Sequence, residues 1–103
     1  MLKKISNEPE LNSFLQLNKN CLVVTGLRNS NISKEFTDSI FRYTCFNTSW
    51  VACFIEYDEN KILSIQRKIR VVPNVDVFKS GIFVKRINGV MNEDELFFQL
   101  NAL

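Results

Sequence analysis

The side chains of this chain that could act as nucleophiles include two serines three positions apart, Ser30 and Ser33, followed directly by Lys34. A serine hydroxyl attacks a substrate only when a base lies within hydrogen-bond reach. The chain has no histidine, so the usual base is missing and Lys34 would have to take its place. Neighbouring residues on a helix diverge by about 100°, so the side chains of Ser33 and Lys34 point apart. The sequence therefore predicts no catalytic residue here.

The three cysteines, Cys21, Cys45 and Cys53, are the other candidates for chemistry. Their odd number and their spacing match neither a zinc site nor a disulfide framework, which favours free thiols in a reducing compartment and predicts a cytoplasmic protein. Cys21 and Cys53 lie in apolar runs and are expected in the core, whereas Cys45 is expected at the surface. An exposed Cys45 could carry a glutathione adduct or an intermolecular disulfide. No metal and no cofactor is expected.

The charge of the chain is nearly balanced, since 13 basic and 11 acidic residues are mixed along it. A single-sign field of the kind that attracts nucleic acid is absent, so no nucleic-acid partner is expected. The densest basic run, Arg67, Lys68 and Arg70, is interpreted as the solvated side of a helix end. No stretch approaches the roughly 20 apolar residues that span a membrane, and residues 1–10 lack the apolar segment of a signal peptide. We therefore expect a soluble, unexported protein without membrane contact.

Apolar runs and helical spacings predict elements in the order βαβαβαββα, an α/β three-layer sandwich whose topology the pattern alone leaves open. Asn7 with Glu10 and Asn92 with Glu95 have the spacing of a capping box and predict the starts of the first and last helices. The length and the 46% apolar content are sufficient for one domain over residues 1–103. The expected strands lie near 2–5, 21–25, 50–57, 71–77 and 82–87; the second helix carries Ile32, Phe36, Ile40 and Phe41, and the third carries Ile62, Ile65 and Ile69.

The segment around the two serines resembles the active site of the thioredoxin family. In that family a strand is followed by Trp, Cys, Gly, Pro, Cys and Lys, and a gapless alignment places on these positions Asn29, Ser30, Asn31, Ile32, Ser33 and Lys34. Residues 70–89 resemble the cis-proline strand of the same family and the hairpin after it. The resemblance implies a thioredoxin-like three-layer α/β/α sandwich, with a central mixed sheet of four to five strands and four helices.

The resemblance also implies that the redox couple is missing, because Ser30 and Ser33 stand where the family has its two cysteines. A thiolate is a good nucleophile and leaving group near neutral pH, whereas a serine hydroxyl hardly ionises and forms no disulfide. We therefore expect a redox-inactive member with Ser-Asn-Ile-Ser in place of Cys-Gly-Pro-Cys. Ser30, or else Asn31, is expected to cap the second helix, and Ser33 is expected to be a polar residue within it.

Three further departures accompany the serines. Thioredoxins usually bury an acidic residue beneath the active site, where this chain has Val24, and Gly26 and Asn29 replace two tryptophans of the family. An alternative explanation is an oxidoreductase whose cysteines were exchanged for serine by engineering. That explanation does not account for Val24, Gly26 and Asn29.

The resemblance keeps the other half of the family's site. Val72 and Pro73 match the cis-proline motif, in which the residue before the proline offers its backbone groups to an extended peptide. Gly89 matches a glycine on a third loop, where a side chain would obstruct the backbone of a partner. The resemblance thus implies a binding groove made of Asn29, Ser30, Val72, Pro73 and Gly89. The alternative is that the cis-proline persists only because it stabilises the fold.

The leading hypothesis is a protein-binding or assembly module that holds a protein or an extended peptide segment in this groove. A thiol-dependent activity at Cys45 is an alternative from the enzyme class. A third hypothesis is a homodimer that forms through Phe54, Phe78 or Phe83, since aromatic residues are enriched at interfaces.

Overall fold

The computed structural model describes residues 2–89 and 91–103. Four α-helices and five strands follow one another in the expected order, with one turn of 3₁₀ helix at Asp58–Asn60 after the third strand. The elements are β1 (Lys3–Lys4), α1 (Glu8–Leu17), β2 (Asn20–Gly26), α2 (Asn31–Phe46), β3 (Val51–Glu56), α3 (Lys61–Gln66), β4 (Asn74–Lys79), β5 (Ile82–Asn88) and α4 (Glu93–Asn101).

The five strands form one mixed sheet in the order β1-β3-β2-β4-β5. The central strand β2 runs parallel to β3 and antiparallel to β4, so that Val24 pairs with Phe54 on one side and with Val75 on the other. All of β2 except Asn20 is buried. Such a strand needs apolar residues on both of its faces, which explains the unbroken apolar run in this part of the sequence.

Helices cover both faces of the sheet and produce two apolar cores. On one face, α2 and α4 pack against alternate residues of β2, β4 and β5; this core contains Leu22, Val24, Phe36, Ile40, Tyr43, Val75, Val77, Ile87, Leu96 and Leu100. On the other face, α1 and α3 enclose Ile5, Leu11, Phe14, Cys21, Val23, Cys53, Ile55 and Leu63. The predicted α/β/α sandwich is therefore confirmed.

Side-chain caps begin the first and last helices where the sequence predicts them. The Asn7 side chain accepts a hydrogen bond from the backbone N–H of Glu10 at 2.9 Å and donates one to the Glu10 carboxylate at 3.0 Å. Asn92 accepts a bond from the backbone N–H of Glu95 at 2.9 Å. These bonds satisfy N–H groups that have no partner within the helix.

The predicted apolar faces of α2 and α3 are partly wrong. Ile32 is 56% exposed, and in α3 both Ile62 and Ile65 are more than two-thirds exposed, whereas Leu63 is buried. Helix α3 has only six residues and ends at Gln66, so Ile69 reaches the core from the segment after the helix. A three-and-four spacing over so short a helix does not determine which face packs on the sheet.

The β4–β5 hairpin turns at Ser80 and Gly81, as predicted, with φ angles of 52° and 79°. The positive φ at Gly81 is accessible to glycine without steric cost. Among residues 2–89 and 91–103, no helix is both long and apolar enough to cross a bilayer.

Candidate functional site

Ser30 caps α2 at the position where the resemblance places the first cysteine. Its backbone is extended, with φ −96° and ψ 124°, and its hydroxyl accepts a hydrogen bond from the backbone N–H of Ser33 at 3.3 Å. The expectation of a cap at Ser30 is confirmed, and Asn31 is instead the first residue of the helix.

Ser33 holds the loop before α2 in place. It is only 2% exposed, and its Oγ accepts a hydrogen bond from the backbone N–H of Leu27 at 3.0 Å. A Cβ added at Gly26 would lie 3.1 Å from both Cβ and Oγ of Ser33, so the absence of a side chain at Gly26 makes room for this contact. The sequence reasoning treated Ser33 only as a polar helix residue and missed this role.

Glu56 fixes the same loop from the end of β3. This buried carboxylate accepts a bond from the backbone N–H of Arg28 at 2.8 Å and a longer one from that of Asp58 at 3.3 Å. The sequence reasoning did not select Glu56, although an acidic residue at the end of a buried strand signals a structural partner. Asn29 remains exposed at the tip of the loop.

The second half of the predicted groove is the segment before β4. The Val72–Pro73 peptide bond is cis. Val72 is half-buried and Pro73 is buried, and the side chain of Asn74 donates a hydrogen bond to the carbonyl of Val71 at 2.9 Å. The backbone N–H and carbonyl of Val72 make no hydrogen bond to any residue within 2–89 and 91–103.

Gly89 contacts Pro73 directly, since its backbone N–H donates to the Pro73 carbonyl at 2.8 Å. An added Cβ would lie 2.7 Å from Cγ and from the carbonyl oxygen of Pro73, and 3.0 Å from a ring carbon of Phe36. A glycine is thus required by contacts inside the chain itself, a different reason from the one that the resemblance implies. The contact with Phe36 of α2 brings the Pro73–Gly89 pair against the helix that Ser30 begins.

Of the five predicted groove residues, only Gly89 lines one of three clefts compared in the described part of the structure. A cleft of about 710 Å³ between α2 and α4 includes Gly89. Neither this cleft, nor one of about 500 Å³ beside Phe54, nor one beside Arg67 and Phe83 is lined by Asn29, Ser30, Val72 or Pro73. Asn29 is exposed, Ser30 and Val72 are half-buried, and Pro73 is buried.

A buried carboxylate on β4 anchors the chain that leads into this surface. Asp76 accepts hydrogen bonds from Arg67 Nη2 at 2.7 Å and from Arg86 Nε at 2.6 Å, and its bond to Asp76 raises the pKa of Arg86. Arg86 also donates to the backbone carbonyls of Arg67 and Lys68 at 2.8 and 2.9 Å. Arg67, Asp76 and Arg86 are called the Asp76 cluster below. It ties the end of α3 to β4 and β5.

The Asp76 cluster corrects one interpretation of the sequence. The side chain of Arg67 is only 12% exposed and also donates to the hydroxyl of Thr25 at 3.1 Å, so it is not part of a solvated helix end. Lys68 and Arg70 are exposed, as expected. The signal for the cluster was Asp76 itself, an acidic residue between two strand valines that needs a charged partner when it is buried.

The three cysteines are free, with Cys21 and Cys53 buried and Cys45 exposed, as predicted. Burial raises the pKa of Cys21 to about 11 and that of Cys53 to about 12, because a thiolate would lose its hydration. Neither buried thiol is therefore a nucleophile near neutral pH. The described residues contain no group of three or more His, Cys, Asp or Glu side chains that could hold a metal ion.

Neither a protein-family model nor a curated protein sequence matches the chain. Solved structures do: oxidised thioredoxin from Plasmodium falciparum is 19% identical, with 99% of this chain and 97% of that chain covered and a TM-score of 0.86. Thioredoxin from Fasciola hepatica is 14% identical, with 98% of both chains covered and a TM-score of 0.87. Oxidised mitochondrial thioredoxin 3 from Saccharomyces cerevisiae is 15% identical, with 99% and 95% covered and a TM-score of 0.87. At these identities the likeness concerns the fold alone, and the chain adopts the thioredoxin fold.

Proposed function

We propose that this chain is a redox-inactive, single-domain binding module of the cytoplasm that holds an extended segment of a partner protein against Asn29, Ser30, Val72, Pro73 and Gly89. The observation that carries the proposal is the backbone of Val72. Its N–H and carbonyl make no hydrogen bond to any described residue, and it stands next to the cis Pro73.

The roles of Ser30 and Ser33 support the proposed absence of redox activity. The Ser30 hydroxyl accepts the capping bond of α2, and the Ser33 hydroxyl holds the N–H of Leu27. Neither side chain can form a disulfide. The solved thioredoxins of the same fold are described as oxidised forms, which is a statement about those proteins. In this chain the corresponding positions support the local structure instead.

An extended partner is favoured because backbone groups are what the surface offers. A partner strand could donate to the Val72 carbonyl and accept from the Val72 N–H, which is the pattern of strand addition. Main-chain bonds of this kind supply affinity with little dependence on the partner's side chains. The exposed Asn29 and the rim position of Ser30 would then contact side chains of the bound segment.

Affinity capture with the immobilised chain, followed by crosslinking and mass spectrometry, tests the proposal. The segment that is recovered is synthesised as a peptide, and its amides are methylated one at a time. We expect one N-methyl position to abolish binding, because the amide at that position donates to the Val72 carbonyl. Equal binding by every N-methyl peptide would show that the main chain does not carry the interaction.

A matched pair of variants locates the surface. Val72→Lys places a charged side chain in the proposed groove, whereas Val84→Lys makes the same change on β5 at a half-exposed valine. Only the first change is expected to weaken peptide binding.

A thioredoxin-reductase-coupled insulin assay tests the absence of redox activity, and substantial turnover by the unmodified chain would contradict it.

Two alternatives are supported by single exposed side chains. Phe83 is 50% exposed on the edge strand β5, which favours a homodimer contact there; Phe54 and Phe78 are partly buried. If crosslinking recovers only copies of this chain, the homodimer replaces the peptide module.

The exposed Cys45 favours a thiol-dependent role, which a Cys45→Ser variant with unchanged behaviour under oxidant would exclude.

A further inference from the structure

A second concave surface lies on the other side of Ser33, between α2 and the β1–β3 edge of the sheet. This cleft, called the Phe54 cleft, has a volume of about 500 Å³, within the range of small-molecule sites. Its apolar walls are Leu2, Leu27, Phe41 and Phe54. None of the residues implied for the peptide groove lines it, so the cleft is independent of the proposed function.

Two hydroxyl groups face this apolar space. Thr37 donates to the backbone carbonyl of Ser33 at 2.7 Å and so keeps its oxygen lone pairs available. The hydroxyl of Ser33 accepts from the N–H of Leu27, and its proton has no acceptor among the described residues. Ser33 is 2% exposed and lines the cleft, so a buried hydrogen-bond donor is available at its wall. A ligand with an acceptor oxygen would satisfy it.

The charged residues at the rim are mostly basic. Lys4, Arg28 and Lys34 line the cleft together with one acidic residue, Asp38. Lys4 and Arg28 share the carboxylate of Glu59, to which Lys4 is bonded at 2.7 Å, so this trio keeps one net positive charge. Lys34 makes no ion pair with any residue of the described ranges. The charge of Lys34 is offset by that of Asp38, so the rim as a whole keeps one net positive charge, which favours an anion.

We propose that the Phe54 cleft binds a small amphipathic monocarboxylate, with its apolar tail against Phe41 and Phe54 and its carboxylate at the basic rim near Lys34. The apolar walls supply most of the affinity through burial of the tail. The rim charges select the acid over a neutral or cationic compound with the same tail.

Titration of the ¹⁵N-labelled chain with octanoate tests this site, with 1-octanol and octylammonium as probes of equal tail length. Octanoate is expected to shift the amide signals of Leu27, Ser33 and Thr37 and to saturate with a Kd of about 1 mM or below, which small apolar ligands reach. Octanol is expected to bind the same residues more weakly, and octylammonium more weakly still. Shifts elsewhere, no saturation, or equal affinity of the three probes would overturn the proposal.

Variants separate the charge from the cavity. Lys34→Gln is expected to weaken octanoate binding about threefold, the size of one exposed charge contact, and to leave octanol binding unchanged. Lys61→Gln removes another exposed helical lysine outside the cleft and is expected to change neither. Thr37→Phe fills the cleft and is expected to abolish binding of both octanoate and octanol. Unchanged amide signals at residues far from the cleft show that this variant is folded. Unaltered octanoate binding by Thr37→Phe would refute the site.

Discussion

Removing the carboxylate of Asp76, which accepts hydrogen bonds from both Arg67 and Arg86, is expected to cost far more stability than removing an exposed carboxylate. The Asp76 side chain is 2% exposed, and the guanidinium groups that it binds belong to side chains 12% and 27% exposed, Arg67 and Arg86. Asp76→Ala leaves these two positive charges close together without a counter-charge. Loss of one partner from a buried ion pair costs about 3–5 kcal/mol. Because Arg86 keeps some contact with water, we expect the lower end, about 3 kcal/mol.

The assay is urea unfolding followed by the fluorescence of the single tryptophan, Trp50. A loss of about 3 kcal/mol lowers the urea midpoint by about 1–3 M, because the slope m of small proteins is about 1–3 kcal/mol/M and should not change. In a thermal melt the same loss lowers the melting temperature of a chain of this size by roughly 12–24 °C. The matched control is Glu93→Ala, which removes an exposed carboxylate bound to Arg42 at 2.6 Å. This exposed pair is expected to contribute little.

Two results would refute this reasoning. The first is a loss of stability for Asp76→Ala no larger than that for Glu93→Ala. The second concerns the triple variant Asp76→Leu, Arg67→Met and Arg86→Met, which removes all the charges together and is expected to lie within about 1 kcal/mol of the parent or above it. If the triple variant is as unstable as Asp76→Ala, the cost comes from packing and not from charge.

Three further outcomes are expected. Ser33→Ala leaves the partly buried N–H of Leu27 without its hydroxyl partner and should lower the free energy of unfolding by about 1 kcal/mol in urea titrations, the lower end of the cost of an unsatisfied group. Unchanged stability would show that water replaces the hydroxyl. A thiol-specific colorimetric reagent at pH 8 should modify only Cys45 in the native chain and all three thiols in denaturant, and a second reactive native thiol would contradict the assigned burial. Gly89→Ala should cost about 1–3 kcal/mol in thermal unfolding, because its Cβ overlaps Pro73, whereas a neutral effect would mean that the loop shifts freely.

Sequence reasoning recovered the order of the elements because each depends on local signals. The caps at Asn7 and Asn92 and the hairpin turn at Gly81 are each decided within four residues. The packed face of α3 was not recovered, because six residues give too little periodicity and its isoleucines are exposed. Local chemistry thus predicted where elements begin and end better than which face they bury.

The role of a site residue could be predicted from the sequence where that residue bonds to its close neighbours along the chain. Ser30 caps the helix that follows it directly, which its position predicts. Glu56 and Asp76 act on residues of other elements, and the distance in sequence to Arg28 or Arg67 hides these contacts from any pattern. Each was visible only as an acidic residue in an apolar strand, a signal that a partner exists but not which one.

The close approach at Gly26 constrains how the sequence can change. A Cβ there would lie 3.1 Å from Ser33 and 3.3 Å from the ring of Phe54, so a side chain at Gly26 requires these neighbours to move by a few tenths of an ångström. A variant with cysteines at Ser30 and Ser33 should therefore keep Gly26 and Phe54. A larger residue at Gly26 would need a smaller side chain at position 33 or 54. Substitutions at these positions should therefore be strongly epistatic, with double and triple changes tolerated where the single ones are not.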